Sequence, residues 1–377
     1  MFTEEHDMLR QSVREFVEKE VTPYVDEWEE KEEYSMDAFR KMGELGLLGL
    51  RVPEECGGGG TDYWSVVVLF EELVRSGCSG FLTAIGVHTE VAIPALVHFA
   101  TEEQKQKYLV PAVKGETLGA LAITEPEAGS DVASIRTTAV EDDDSYVING
   151  NKIFISNGAR ADWIIVAAKT DKEAGYNGIT EFIVDTKTPG FEVSRKLDKV
   201  GLKSSDTAEL FFTDMRVPKE NLLGEINQGF FQIMNNFQPE RLLVAVGAYG
   251  GAEIALKMAI DYAKERQQFG KAVSRHQHNA FKIAELATKV EASKELTYRA
   301  ADMYNRGVDC LVEVSMAKWY TTEVANEVTY NAMQLFGGYG YMMEYDIQRA
   351  WRDMRVMTIV AGTNEIMKLI ISRSIGL

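Results

Sequence analysis

Cysteine, histidine and positive charge are all scarce in this chain of 377 residues, and each shortage removes a class of function. The three cysteines, Cys56, Cys78 and Cys310, are scattered and form no CxxC pair. That spacing supports neither a disulfide framework nor a thiolate metal site, and it fits a reducing compartment. The five histidines, His6, His88, His98, His276 and His278, make no ligand set, and the last two, two apart at a helix start, face different ways. No metal is expected. Lys and Arg number 40 against 58 Asp and Glu, a formal charge of -18. Phosphate backbones and anionic membrane surfaces need clustered cations, so neither nucleic acid nor a membrane is an expected partner. The opening MFTEEHDMLR is acidic where a targeting peptide is basic, and no uncharged apolar run approaches the roughly 18 residues of a membrane span. The expected location is the cytoplasm, or the mitochondrial matrix for a processed chain.

What is present is enough for a large core. The chain is 45% hydrophobic and 26% charged, and its length exceeds one ordinary domain. Up to about residue 116 the apolar spacing is helical: Leu9, Val13, Phe16, Val17 and Val21 share a face before Pro23. Asp62 is a candidate cap, Thr101 with Gln104 a candidate capping box, and CGGGG at 56–60 a candidate flexible turn. From 117 to 228 short β-branched and aromatic runs take over, among them YVINGNKIFI, WIIVAAKT, TEFIVDT, FEVSRKL and AELFFTDMRV. Asn149-Gly150 predicts a two-residue hairpin, and strands without intervening helices predict an antiparallel sheet or barrel. From 229 to 377 helical periodicity returns, near 240–266, 276–305, 309–336 and 364–375, as expected of a four-helix bundle. The expected fold is thus α+β, in three domains ordered helical, β, helical.

Four segments could carry chemistry. AITEPEAGSDVAS, residues 122–134, offers backbone N–H groups and hydroxyls at Gly129, Ser130 and Asp131, and would serve equally as an interdomain loop. QLFGGYGYMMEYDIQRAWRD, residues 334–353, has a glycine pattern like a dinucleotide fingerprint but follows a helix rather than a strand, which excludes that assignment. A helix C-cap accounts for its glycines but not for Gln334. In RQQFGK, residues 266–271, Arg266 could fork onto a phosphate or simply be solvated. NNFQPERLLVAVGAYGG, residues 235–251, sets Glu240 beside Arg241 at the head of an apolar, glycine-studded run.

Together, AITEPEAGSDVAS, IFISNG, RQQFGK and QLFGGYGYMMEYDIQRAWRD closely resemble the acyl-CoA dehydrogenase family, over essentially the whole chain. The resemblance implies an FAD enzyme that oxidises an acyl-CoA thioester to the trans-2-enoyl-CoA, with a carboxylate taking the α-proton and the β-hydrogen leaving as hydride. It places Ile123, Thr124, Gly129 and Ser130 at the flavin and thioester, and Phe154 and Ser156 on the flavin's other side. Arg266 and Phe269, with Gln334 and Gly338 of a neighbouring subunit, would hold the rest of the FAD, completed by Thr363 and Glu365. Ser130, Phe237, Arg241 and Gly362 would lie along the substrate. A shared site implies at least a dimer, and the family is usually a homotetramer.

In most of that family the catalytic Glu immediately precedes GT in the last motif. Here TIVAGTNEIM has Ala361 at that place. The long-chain and isovaleryl branches carry the base instead in an ER pair that corresponds to Glu240-Arg241. With Pro239 at a first helical position, Glu240 is expected at a helix N-terminus, stabilised by the dipole and raised by desolvation, on an apolar face with Leu243, Val244 and Gly247. Arg241, about 100° around the helix, is expected to point elsewhere and to hold either the fold or the neighbouring loop. The Ala361 backbone N–H would remain to polarise the thioester carbonyl.

Gly86 in TAIGVHTE is expected near the far end of the acyl pocket, either leaving depth for a longer chain or serving helix packing. Medium to long straight acyl groups come first and short branched ones second. A weakly catalytic flavin-binding module stays open, although a charge of -18 disfavours a DNA-binding form. Acyl-CoA oxidases carry a further C-terminal helical domain, and the sequence stops at Leu377, so electron-transferring flavoprotein is the expected acceptor.

Overall fold

The computed structural model describes residues 2–377. Helices fill the chain as far as Val113, strands run from Gly119 to Leu223, and helices return from Gly229. The first helix, Glu4–Phe16, is capped by Thr3 and buries Val13 and Phe16. A π turn over Val17–Val21 carries the same buried face onward before Pro23 ends it. Asp62 caps Tyr63–Val74 through the Ser65 N–H, and Thr101 with Gln104 forms the reciprocal capping box. Residues 56–60 are not free: the N–H groups of Gly58, Gly59 and Gly60 donate to the carbonyls of Pro53, Gly49 and Val52. A Cβ at Gly58 would lie 2.1 Å from the Val52 oxygen, so glycine there serves close backbone approach.

The strands of the middle unit are β1 Gly119–Ala122, β2 Thr138–Asp142, β3 Ser145–Ser156, β4 Trp163–Lys169, β5 Ile179–Asp185, β6 Phe191–Lys196, β7 Thr207–Pro218 and β8 Leu222–Leu223. They pair in the order β6-β7-β3-β2-β4-β5-β8, with β1 added parallel to β4, β2 joined to β4 in parallel at Thr138 and Lys169, and the other ladders antiparallel. No pairing among the described residues joins β6 to β8, so the expected barrel is an open one. WIIVAAK reads as an unbroken apolar run because β4 is covered on both faces. Ile164, Val166 and Ala168 pack inside the curled sheet with Phe182, Leu210 and Met215. Trp163 and Ile165 pack outward against Leu109 and Ala112 of the first helical unit.

Asn149-Gly150 is not a turn. Both residues lie within β3, and the β2–β3 hairpin turns at Asp143-Asp144, where Asp142 faces Ser145 and Asp143 takes φ 53°. Gly150, at φ 150°, sits at a register shift against β7, and a Cβ there would meet the Thr137 hydroxyl at 2.5 Å. The dipeptide marks a bulge and a close approach, uses of glycine that the hairpin pattern does not distinguish.

The last unit contains Gly229–Glu265, Gln277–Asn305, Leu311–Phe336, Ile347–Arg355 and Asn364–Ser374. Three are long and two short, and the last packs on Leu311–Phe336 as the bundle's fourth member. Ala252, Ala255 and Ala259 let the long helix approach Leu286, Val290 and Val328 closely. Its middle, Leu242 to Tyr249, belongs instead to the core of the first unit, with Val66, Phe70 and Val74. Its start joins the β unit, where Ile233 packs with Ile123 and Ala128. A buried Leu or Val contributes about 1.5–3 kcal/mol, so these shared side chains tie the three units together at one helix.

Ser79–Phe99 and Gly229–Glu265 reach the length and mean hydropathy of a membrane span, although charged residues such as Glu90 and Glu240 interrupt them. The protein itself covers them: 83% and 67% of their most apolar windows are buried. They are core helices by location.

Candidate active site

Glu240 is not at a helix N-terminus. The helix begins at Gly229, Pro239 lies inside it, and a dipole acts only over the first turn. Pro239 has no N–H to give the Asn235 carbonyl. The backbone there is supported from outside, by the Tyr63 hydroxyl donating to the Pro239 carbonyl at 3.1 Å. Glu240 keeps part of its surface open, and the packing around it pushes its carboxyl up to about 7, against the pull of Arg241 and Lys318. Desolvation alone does what dipole and desolvation were expected to balance.

Arg241 turns away from Glu240 as its angle on the helix requires. It is buried, its guanidinium lies 5.3 Å from the centre of the Phe237 ring, and its Nε donates to the Ala361 carbonyl at 3.3 Å. Ala361 and Gly362 both take left-handed backbone, φ 56° and 84°, which for alanine is uncommon and needs outside support. Lys318 supplies the rest of that support. Its Nζ donates to the Gly362 carbonyl at 2.8 Å and to Asn364 Oδ1 at 3.1 Å. Burial pulls its ammonium down to about 8. With both carbonyls held, the Ala361 N–H has no acceptor among the described residues. Thr363 spends its hydroxyl capping the last helix through the Ile366 N–H, and Glu365 is exposed in that helix's first turn.

Lys318 was not singled out from the sequence, although a signal exists. Val314, Ala317, Thr321, Thr322 and Ala325 form one buried stripe at helical spacing, and a lysine within it must have a partner.

The second cluster is built on β3. A register shift between Lys152 and Ile155 turns Phe154 outward at φ 61° and leaves it 65% exposed, while Lys152 points into the closed interior. The Ile153 N–H donates to the Thr124 carbonyl at 2.9 Å, which brings the 122–134 loop beside Phe154. Ile123 and Ala128 pack with Ile233 and the partly buried Phe230, Met234 and Phe237. The loop and the start of the Glu240 helix therefore share one apolar cluster. Gly129 and Ser130 are exposed, with open space at Gly129, and Ser156 is half-buried. Exposed aromatic surface at Phe154 beside free polar backbone suits a flat heteroaromatic group such as the flavin.

Arg266, Phe269, Gln334 and Gly338 lie elsewhere on the surface. The Arg266 guanidinium is 5.8 Å from the Tyr339 ring centre, which sets the 266–270 and 334–338 turns side by side. Phe269 is 94% exposed, and a Cβ at Gly338 would meet nothing. Among the described residues no hydrogen bond or ring contact links this patch to Thr124, Phe154 or Glu240.

A cavity of about 1000 Å³ lies along the start of the same helix, lined by Phe99, Met234, Asn235, Gln238, Arg241 and Leu311; Glu240 is not itself part of its lining. Gly86 adds no depth to it: a Cβ there would lie 2.5 Å from Leu243 Cδ2, so the glycine lets the two helices pack.

Residues 3–116, 120–215 and 227–376 match the N-terminal, middle and C-terminal domains of acyl-CoA dehydrogenase. The chain belongs to the acyl-CoA dehydrogenase family. The crystal structure of an acyl-CoA dehydrogenase from Geobacillus kaustophilus is similar to it with a TM-score of 0.97 and 47% identity, covering 100% of this chain and 99% of that one. The mitochondrial long-chain specific acyl-CoA dehydrogenase of Sus scrofa is 41% identical over 100% of this chain and 87% of its own length. The short-chain specific acyl-CoA dehydrogenase of Clostridium acetobutylicum is also 41% identical, over 99% and 98%. As a member of this family the protein is a flavoprotein oxidoreductase that binds FAD and acts on CH–CH bonds of acyl-CoA thioesters.

Proposed function

We propose that this protein dehydrogenates an acyl-CoA at the α,β bond with Glu240 as the α-proton base. The observation that carries this is Glu240 itself: a carboxyl held near 7, between Gln238 and Arg241 that line the cavity of about 1000 Å³, with Arg241 bonded to a loop whose Ala361 cannot take a proton. A base is most effective when its pKa lies near the working pH. The unpartnered Ala361 N–H would polarise the thioester carbonyl and so stabilise the charge that develops as the proton leaves. Arg241 and Lys318 fix that loop and hold Glu240 lower than burial alone would. Ile123, Thr124, Gly129, Ser130, Phe154 and Ser156 would hold the flavin ring, and FAD when bound supplies the acceptor for the β-hydrogen. Ser130, Phe237 and Gly362 would line the thioester.

The separate patch at Arg266, Phe269, Gln334 and Gly338 supports a second copy completing the cofactor site, in a homotetramer, with electron-transferring flavoprotein as acceptor. For the acyl group we propose a medium to long straight chain. A shorter or branched one gains support from Leu243, which fills the space at Gly86. The two 41% relatives, named for long and short chains, do not separate these.

Glu240→Gln should retain FAD and lose turnover by about 10³-fold or more. In the wild type, kcat/KM should rise with pH through about 7, because the base works only once its proton is gone. Near-normal flavin bleaching by acyl-CoA in the Gln variant under anaerobic conditions would remove Glu240 from the mechanism. An anaerobic titration of the wild type with straight and branched acyl-CoAs identifies the acyl group by the best bleaching.

A further inference from the structure

Lys152 is closed to solvent, and its Nζ donates to the Ile123 carbonyl and to Glu125 Oε1, each at 2.8 Å. Glu125 also accepts the Arg136 and Thr137 N–H groups, so the carboxylate is satisfied on several sides. The next carbonyl along, that of Thr124, accepts the Ile153 N–H at 2.9 Å. Both carbonyls of the 123–124 stretch are thus drawn toward β3. All peptides among the described residues are trans, and in a planar trans peptide the C=O and N–H point in opposite directions. Clamping the Ile123 carbonyl therefore aims the Thr124 N–H outward. That N–H has no acceptor among the described residues, and Thr124 is partly open beside the exposed Phe154. A buried cation on a carbonyl also polarises the amide it belongs to, which makes its N–H a stronger donor.

We propose that Lys152 is a positioning residue for the flavin: by clamping the Ile123 carbonyl it aims and strengthens the Thr124 N–H as a hydrogen-bond donor to the polar edge of the flavin ring. This rests on the assignment of residues 123–130 to the flavin site. A donor at that edge favours the electron-rich reduced ring over the oxidised one, so the clamp raises the flavin midpoint potential.

The test uses the full-length protein reconstituted with FAD. Lys152→Met with Glu125→Gln removes both charges and strands neither. Three quantities are read: the FAD dissociation constant, the flavin carbonyl stretching bands by infrared difference spectroscopy, and the midpoint potential. The double variant should bind FAD about tenfold more weakly, as expected for a lost hydrogen bond, with a carbonyl band moved to higher frequency and a lower midpoint. If it does not fold, Lys152→Gln with Glu125→Gln takes its place, which keeps polar groups at both positions, with the same shifts in smaller measure. A folded, FAD-bound variant with unchanged bands and midpoint overturns the role of Lys152. Thr124→Pro separates the two levels, because it deletes the N–H while leaving Lys152 in place. If Thr124→Pro shifts the bands and the lysine variant does not, the clamp fails and the flavin assignment stands. If Thr124→Pro leaves bands and affinity unchanged, the assignment of this loop to the flavin fails as well.

Discussion

Lys152 in the β unit and Lys318 in the helical bundle are both closed to solvent, and burial pulls both ammonium groups down to about 8. Each clamps a backbone carbonyl at the edge of the candidate site. They differ in what balances their charge. Lys152 touches a carboxylate, Glu125, which burial raises but which Lys152 and the neighbouring N–H donors hold below the ordinary range. Lys318 touches only neutral oxygens, on Gly362 and Asn364, and the charges acting on it are Arg241 against and Glu240, Glu365 and Glu323 in favour. One buried cation is balanced by a fixed ion pair. The other is balanced from a distance by three carboxylates, the largest contribution coming from the group proposed to gain a proton in every turnover.

The largest effect should come from breaking the fixed pair on one side. Lys152→Met leaves Glu125 buried without its cation and should cost about 3–5 kcal/mol of stability in urea unfolding of the FAD-free protein. Adding Glu125→Gln should recover most of that loss. If the single variant is as stable as the double one, water reaches Glu125 and the pair is not closed as described.

Lys318→Met should cost less, about 1–3 kcal/mol, because it strands neutral acceptors rather than a charge. Its signature lies in the pH profile. Lys318 lowers the pKa of Glu240, so its loss should move the rise of kcat/KM from about 7 to higher pH. The Lys152 and Glu125 double variant should leave that limb where it is. Equal displacement of the limb by both variants would erase the distinction between the two lysines.

How much of this the sequence disclosed follows from what is periodic in it. Val13, Phe16, Val17 and Val21 trace their buried face directly, and Asp62 and Thr101 announce their caps, because these signals lie within one or two turns of chain. Glu240 and Ala361 were identifiable as a pair only through the family motif, since nothing in local sequence relates positions so far apart. The failures share a cause. Pro239 suggests a helix start, but Tyr63 supports the backbone from another unit and Ile233 continues the helix backward into the β unit's core. Asn149-Gly150 suggests a turn, but Thr137 crosses too closely for any residue except glycine. Gly86 suggests a void, and Leu243 fills it. In each case the deciding contact comes from a segment distant in sequence. The two buried lysines follow the same rule, because their acceptors sit on other elements.

The smallest effect bears on how Lys318 acts. Its lowering of Glu240 could come from charge alone, or from fixing the 361–364 loop that Arg241, next to Glu240, also holds. Thr322 separates these. Its buried hydroxyl donates to the same Asn364 Oδ1 at 3.1 Å and carries no charge. Thr322→Val keeps the volume and removes that bond, at a cost of about 0.5–1.5 kcal/mol. If charge is the agent, the Val variant should show the loss in stability with the acid limb of kcat/KM still near 7, since Lys318 remains. A limb displaced as far as in Lys318→Met would mean that loop position sets the base. Lys318 would then resemble Lys152 in kind, a clamp whose charge matters only because it is buried.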